Sequence, residues 1–261
     1  MRSGAHWRCQ RGIALMAVLW VVAILSLITV GLVQAVRTEV RIVGLDRQRV
    51  QAQALGEAAI ALAAQQIGAL QQDQPEQNIF QLEVEFAGQR MPVHAQPLAG
   101  LVSLPSAPRD VLAPVLQHAG GLSQDAALEM AERIVQWRIS PTEHGATRGI
   151  AAPEDLLQVP GVSYDLYARV APFVTASRRG TGLDLRAASP ELLAMFGLQP
   201  GQLPAGQRRQ AHHLFRFTAQ VEVGQTRFEV RKDMQVNNQP GLSGMYWQTF
   251  ESQIKVTDSL R

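Results

Sequence analysis

Cysteine is almost missing from this chain: Cys9 stands alone among 261 residues. An intramolecular disulfide is therefore excluded, and the fold must hold without one. Cys9 also precedes the long apolar stretch, whereas a lipoprotein cysteine follows one. An excess of one charge is missing too. The chain has 24 basic and 22 acidic residues. Without residues 1–12, which carry Arg2, Arg8 and Arg11 and no acid, 21 basic residues face 22 acidic ones. Such a body has no surplus with which to seek nucleic acid.

Catalytic groupings are equally scarce. His94, His118, His144, His212 and His213 show no paired-ligand spacing, and the adjacent pair His212-His213 points different ways in a strand or helix. There is no Gly-x-Ser-x-Gly nucleophile elbow. A calcium site takes about six to eight oxygen ligands. Asp184, Glu191, Asp233 and Asp258 stand apart in the sequence and read as caps or solvated groups. No catalytic residue and no metal ligand is assigned, and the chain reads as a protein without enzymatic activity.

What is present begins at Ile13. From there to Val33 the sequence IALMAVLWVVAILSLITVGLV runs for 21 residues without a charge, about 31 Å as a helix and enough for a bilayer core. A secretory signal peptide fits poorly, because helical character continues through Gln34-Ala35-Val36-Arg37 and no small-residue cleavage site closes the run. By hydropathy alone this is a single-pass anchor. Helical periodicity persists to about Leu70, with Leu55, Ala58, Ala59, Leu62, Gln66 and Leu70 near one face. The alanines would let this helix lie close against a sheet. Gln71–Glu76 then supplies a polar, proline-containing stop.

Strand-like alternation follows in Phe80, Leu82, Val84 and Phe86. Ala87-Gly88-Gln89-Arg90 predicts a turn into 91–95, where Pro92 predicts an edge strand. The pattern returns in Phe215, Phe217, Ala219, Val221 and Val223, opposite Arg216, Thr218, Gln220 and Glu222. Gly224-Gln225 predicts a two-residue hairpin turn, Phe228 and Val230 its return strand, and 245–256 a last strand. The intervening stretch is helical, with starts at Pro108, Pro153 and Pro190 and a further helix capped by Ser123. Within it Leu157-Gln158-Val159-Pro160-Gly161-Val162 resembles a helix-hairpin-helix element. Asp165 then falls where a bound phosphate would sit, which favours a structural hairpin over DNA binding.

Arg11-Gly12 followed directly by the apolar helix resembles the class III leader of type IV pilins and pseudopilins. That resemblance implies cleavage after Gly12 by a prepilin peptidase and N-methylation of the new terminus, Ile13. Most members carry glutamate at the fifth mature residue, and this chain has Ala17. A carboxylate at such depth is costly unless it pairs, and in the filament it meets the terminal ammonium of the preceding subunit. A subunit without it suits the first place in line. Together with the helical stretch between strands, this resembles the K class of minor pseudopilins of bacterial type II secretion systems.

The resemblance implies an α+β fold, a long N-terminal helix packed on a small antiparallel sheet with an inserted helical domain of degenerate helix-hairpin-helix units. The expected divisions are a leader at 1–12, a membrane part at 13–36, and the rest of the helix with the first strands at 37–99. The inserted domain then occupies 100–210 and the C-terminal strands 211–261. It also implies a single-pass protein of the inner membrane with its globular part in the periplasm, partnered by minor pseudopilins of the I and J classes. Some relatives bind calcium in the head, but no acidic cluster supports it here, so the cofactor stays unknown. Two other readings share the features: a minor pilin of a type IV pilus, and a membrane-anchored helix-hairpin-helix DNA-binding protein.

Overall fold

The computed structural model describes residues 10–73, 78–142, 145–177, 183–199, 212–237 and 247–259. The leader residues 1–9, residues 74–76 of the expected polar stop and His144 lie outside them, while residues 71–73 of that stop still belong to the helix. Helix α1 spans Gln10–Asp73, and the chain divides into two units, Met1–Gln51 and Ala52–Arg261.

In the second unit, α1 buries Ala52, Gly56, Ala59, Ile60, Ala63 and Ile67. The expected face holds in part: Ala59 is buried, Leu55, Ala58, Leu62 and Leu70 are half-buried at the flanks, and Gln66 is exposed. Small residues make up most of the seam, with Ile60 and Ile67 as its large members. Small residues allow backbone approach, and a Cβ on Gly56 would stand 2.5 Å from a methyl of Val230. Strands β1 (Phe80–Phe86) and β2 (Gln89–Pro97) follow, joined by a two-residue turn. Ala87 and Gly88 both take positive φ there, 53° and 76°, as a primed hairpin turn requires.

The chain then leaves the sheet. It forms a short strand β3 (Val102–Ser103), α2 (Arg109–His118), α3 (Gln124–Ile139), a 3-10 turn over Pro153–Gln158, α4 (Tyr164–Val170), β4 (Val174–Thr175) and α5 (Pro190–Met195). Ser123, Ser163 and Ser189 cap α3, α4 and α5, each accepting a backbone N–H three residues on. β3 and β4 pair in parallel. The segment buries a core of its own, including Leu112, Leu116, Ile134, Leu156, Leu166 and Leu192.

Strands β5 (Leu214–Val223), β6 (Thr226–Val236) and β7 (Trp247–Ser259) complete an antiparallel sheet of order β1-β2-β5-β6-β7 among the described residues. The expected turn at Gly224-Gln225 closes β5 on β6, with Val223 opposite Thr226. One face packs on α1 through a cluster that includes Phe80, Phe215, Phe217, Val221 and Phe228. Each such side chain contributes about 1.5–3 kcal/mol by burial. The edge expectation for β2 fails, since that strand lies between β1 and β5. Proline is tolerated because Pro92 pairs only with Glu83 of β1; the ladder to β5 begins one residue later, at Val93 opposite Ala219.

Candidate functional site

In the first unit, the described part of the apolar run exposes its side chains all round the helix. Leu15, Leu19, Trp20, Leu25 and Leu27 are each more than half exposed. A helix apolar on every side calls for apolar surroundings on every side. The hydroxyls in this stretch are spent internally: Ser26 donates to the carbonyl of Val22 and Thr29 to that of Leu25, both at 2.8 Å. Water is then not needed to satisfy them. Among the described residues no helix is long and apolar enough to cross a membrane. The described side chains of the run, Leu15 to Thr29, cover about 22 Å of helix, and its other positions, 13–14 and 30–33, lie outside them. Gly12 and Ile13 fall in the backbone of α1's first turn, and Ala17 is an exposed position on it.

In the second unit, the sheet face turned away from α1 is polar and half covered by the segment between β2 and β5. Arg216 and Asp233 face each other across β5 and β6, each 4% exposed. Their contact is bidentate: Nε and Nη2 of Arg216 donate to the two carboxylate oxygens of Asp233, both at 2.8 Å. Nη1 of Arg216 donates to the carbonyl of Val174 in β4, also at 2.8 Å, so one guanidinium ties the sheet to the covering segment. Burial pushes this guanidinium down, but the hydrogen bonds and charge of Asp233 outweigh it and leave the group raised. Asp233 is thus no solvated acid, contrary to the sequence expectation, and Arg216 is buried with it. Their register was readable, because a two-residue turn at 224–225 places 216 opposite 233. The covering segment was not.

Around this pair the face continues in pairs. Glu154 accepts from the Tyr167 hydroxyl at 3.0 Å and from the Gln253 amide at 2.7 Å, again joining covering segment to sheet. Burial, then the charge of Glu154 and the hydrogen bond to it, push the Tyr167 hydroxyl up to about 12. Glu229 meets Arg231 and Lys255, each at 3.0 Å. Glu251, opposite Asp233 on β7, is raised above the ordinary carboxylate range, first by burial and then by the neighbouring charge of Asp233.

The 157–162 segment turns at Gly161, φ 90°, between the 3-10 turn and α4. Arg133 of α3 donates to the carbonyl of Pro160 at 3.0 Å, and its guanidinium fills the space beside Gly161. Asp165 pairs with Arg169 at 2.8 Å. The element preceding the turn is a 3-10 segment of six residues. Half-buried His212 stands 3.5 Å from Asp184, and burial lowers it more than Asp184 raises it. Among the described residues no group of three or more metal-ligating side chains converges.

No family model and no curated protein sequence matches the chain. Its fold is similar to that of a chain in the crystal structure of the GspK-GspI-GspJ complex from the type 2 secretion system of enterotoxigenic Escherichia coli. The TM-score is 0.57 at 10% identity, over 83% of this chain and 99% of that one. What the two share at that identity is the fold.

Proposed function

We propose that the chain is a non-catalytic minor pseudopilin of the K class, acting in a bacterial type II secretion system by initiating or capping the tip of the periplasmic pseudopilus. The observation that carries this reading is the fold shared with a chain of the secretion-system complex. Three further features support it. Arg11-Gly12 stands directly before a charge-free apolar helix, as a prepilin peptidase site does. Position 17, where a filament subunit would carry its pairing carboxylate, is alanine. The segment 98–213, with its own core, adds bulk to the head that stacking inside a filament would have to accommodate.

In this reading the peptidase releases residues 1–12, and Ile13 becomes a methylated N-terminus. The run to Val36 anchors the protein once in the inner membrane, with the head in the periplasm. The anchor and head assemble with minor pseudopilins of the I and J classes. The turn around Gly161 serves as a degenerate structural hairpin, its backbone approach occupied by Arg133. N-terminal mass analysis of protein recovered from membranes tests the first step. A methylated Ile13 start is expected, and an intact Met1 on an unprocessed anchor overturns the reading. Ala17→Glu tests the second: it should move the subunit off the tip and reduce secretion, and unchanged position and secretion would refute the pairing argument.

A further inference from the structure

Strand β1 ends the sheet on one side and β7 on the other. The two edges differ. β7 shifts register twice against β6, at Arg227/Phe228 and at Asp233/Met234, and such irregularities interrupt the row of backbone groups that an edge presents. β1 pairs with β2 from Phe80 to Phe86 without a shift, and its sequence, FQLEVEF, holds no proline, glycine or lysine. The two-residue turn makes Phe86 and Gln89 a hydrogen-bonded pair, and in an antiparallel ladder such pairs alternate. Phe80, Leu82, Val84 and Phe86 therefore bond to β2, while Gln81, Glu83 and Glu85 turn their N–H and carbonyl groups outward. Pro92 fits this register, since opposite Glu83 it needs to give β1 no N–H. Among the described residues no strand pairs with the outer side of β1.

We propose that this edge accepts an extended segment of a partner polypeptide as an added strand, with lysine or arginine at alternate positions facing Gln81, Glu83 and Glu85. The open row of donors and acceptors calls for a strand, and the side chains beside it select the partner. Gln81, Glu83 and Glu85 are exposed on the face away from α1. Glu83 has no ion pair among the described residues, and Glu85 meets only Arg90 at 3.7 Å, where both side chains are largely exposed and the pair contributes little. Opposite charges directly across two strands attract and like charges repel. A second copy of β1 is therefore a poor occupant. In the antiparallel register of full overlap, centred on Glu83, that glutamate would face its own copy. On the other face Leu82 is half-buried and Phe86 is 42% exposed, so the segment's remaining positions would be apolar. The inference stands apart from the secretion reading, for it uses only this edge.

The test is residue-resolved amide exchange of the full chain in nonionic detergent micelles, titrated with a blocked peptide of alternating lysine and valine. In the free chain the amides of 82, 84 and 86 should exchange slowly and those of 81, 83 and 85 fast. At saturating peptide the second set should slow at least tenfold. Two control peptides, one with glutamate in place of lysine and one N-methylated at its lysine amides, should bind at least fivefold more weakly. Glu83→Lys, at an exposed position, should weaken the lysine peptide as much. No slowing at 81, 83 and 85, or equal binding of the N-methylated peptide, overturns the added strand. Equal binding of the glutamate peptide, or an unchanged affinity in Glu83→Lys, overturns the basic partner. Slowing of the same amides that grows with protein concentration in the absence of peptide would make a second copy the occupant and overturn the proposal.

Discussion

Replacing Asp233 with alanine takes the counter-charge from a guanidinium that is 4% exposed. Arg216 would keep its hydrogen bond to the carbonyl of Val174 but lose both bonds to carboxylate. Breaking a buried pair by removing one member costs about 3–5 kcal/mol, because the survivor stays buried and uncompensated. Removing both charges is different. In Arg216→Met with Asp233→Leu the desolvation cost disappears with the pair, and what remains is the stranded Val174 carbonyl, about 1–3 kcal/mol. Thermal unfolding of the full chain in detergent, followed by tryptophan fluorescence, would measure the difference. For a domain of this size each kcal/mol moves Tm by about 2–4 °C, so Asp233→Ala should lower it by about 6–20 °C. The double variant should recover about half of that loss. A single variant costing under about 1 kcal/mol, or a double variant no better than the single, would refute the account of this pair as buried and coupled.

Gly56→Ala should destabilise by about 1 kcal/mol. The helix-propensity gain of about 1 kcal/mol is outweighed by overpacking of about 1–3 kcal/mol against Val230. Val230→Ala in the same chain should relieve it, and chemical unfolding reads both. At Gly44 a Cβ would meet nothing within 4 Å, so Gly44→Ala should stabilise the helix by up to about 1 kcal/mol in the same assay. Tyr167→Phe should cost about 1.5 kcal/mol, the lower end for a hydrogen bond to a charged group, since Gln253 still serves Glu154. Because the folded-state carboxyl of Glu251 is raised, its contribution favours folding below the unfolded value of 4.5 and is lost as pH rises through the folded pKa. Glu251→Gln should therefore raise Tm at neutral pH, with the advantage vanishing below pH 4.5; an advantage independent of pH would refute the assignment.

Local signals carried much of the fold. Alternation found β1 and β5, Gly224-Gln225 fixed the β5–β6 register, and Ser123 and Pro190 marked helix starts where the chain forms them. The failures share a cause: each depended on what a distant element does. Leu55 and Leu62 outrank Gly56 and Ala63 on any hydropathy scale. Yet the seam of α1 combines Ile60 and Ile67 with small residues, Gly56 and Ala63 among them, against a sheet face that carries Phe215, Phe217 and Phe228. Pro92 reads as an edge signal until the β2–β5 ladder is seen to begin only at Val93. Arg216 alternates with apolar neighbours as a solvated residue would. Only the return of the chain past Val174 turns that polar face into an interior with its own ion pair and cavity. In the first unit, Gly12, Ile13 and Ala17 were legible as a motif, and the processing and assembly roles proposed for them do not depend on packing within one chain.

The helical segment leaves the sheet after Pro97 and returns just before Phe215, two residues that are themselves paired. Its two ends are thus one strand spacing apart, about 4.8 Å, which is the gap an ordinary tight turn closes. The sheet is complete on either side of this doorway, so the segment is a module that could be exchanged, enlarged or deleted without re-registering a strand. A chain with a short turn in place of 98–213 should keep the β2–β5 pairing by amide exchange while losing the anchor that Val174 offers Arg216. Covering segments of different size on one unchanged sheet are what such an arrangement makes easy to reach.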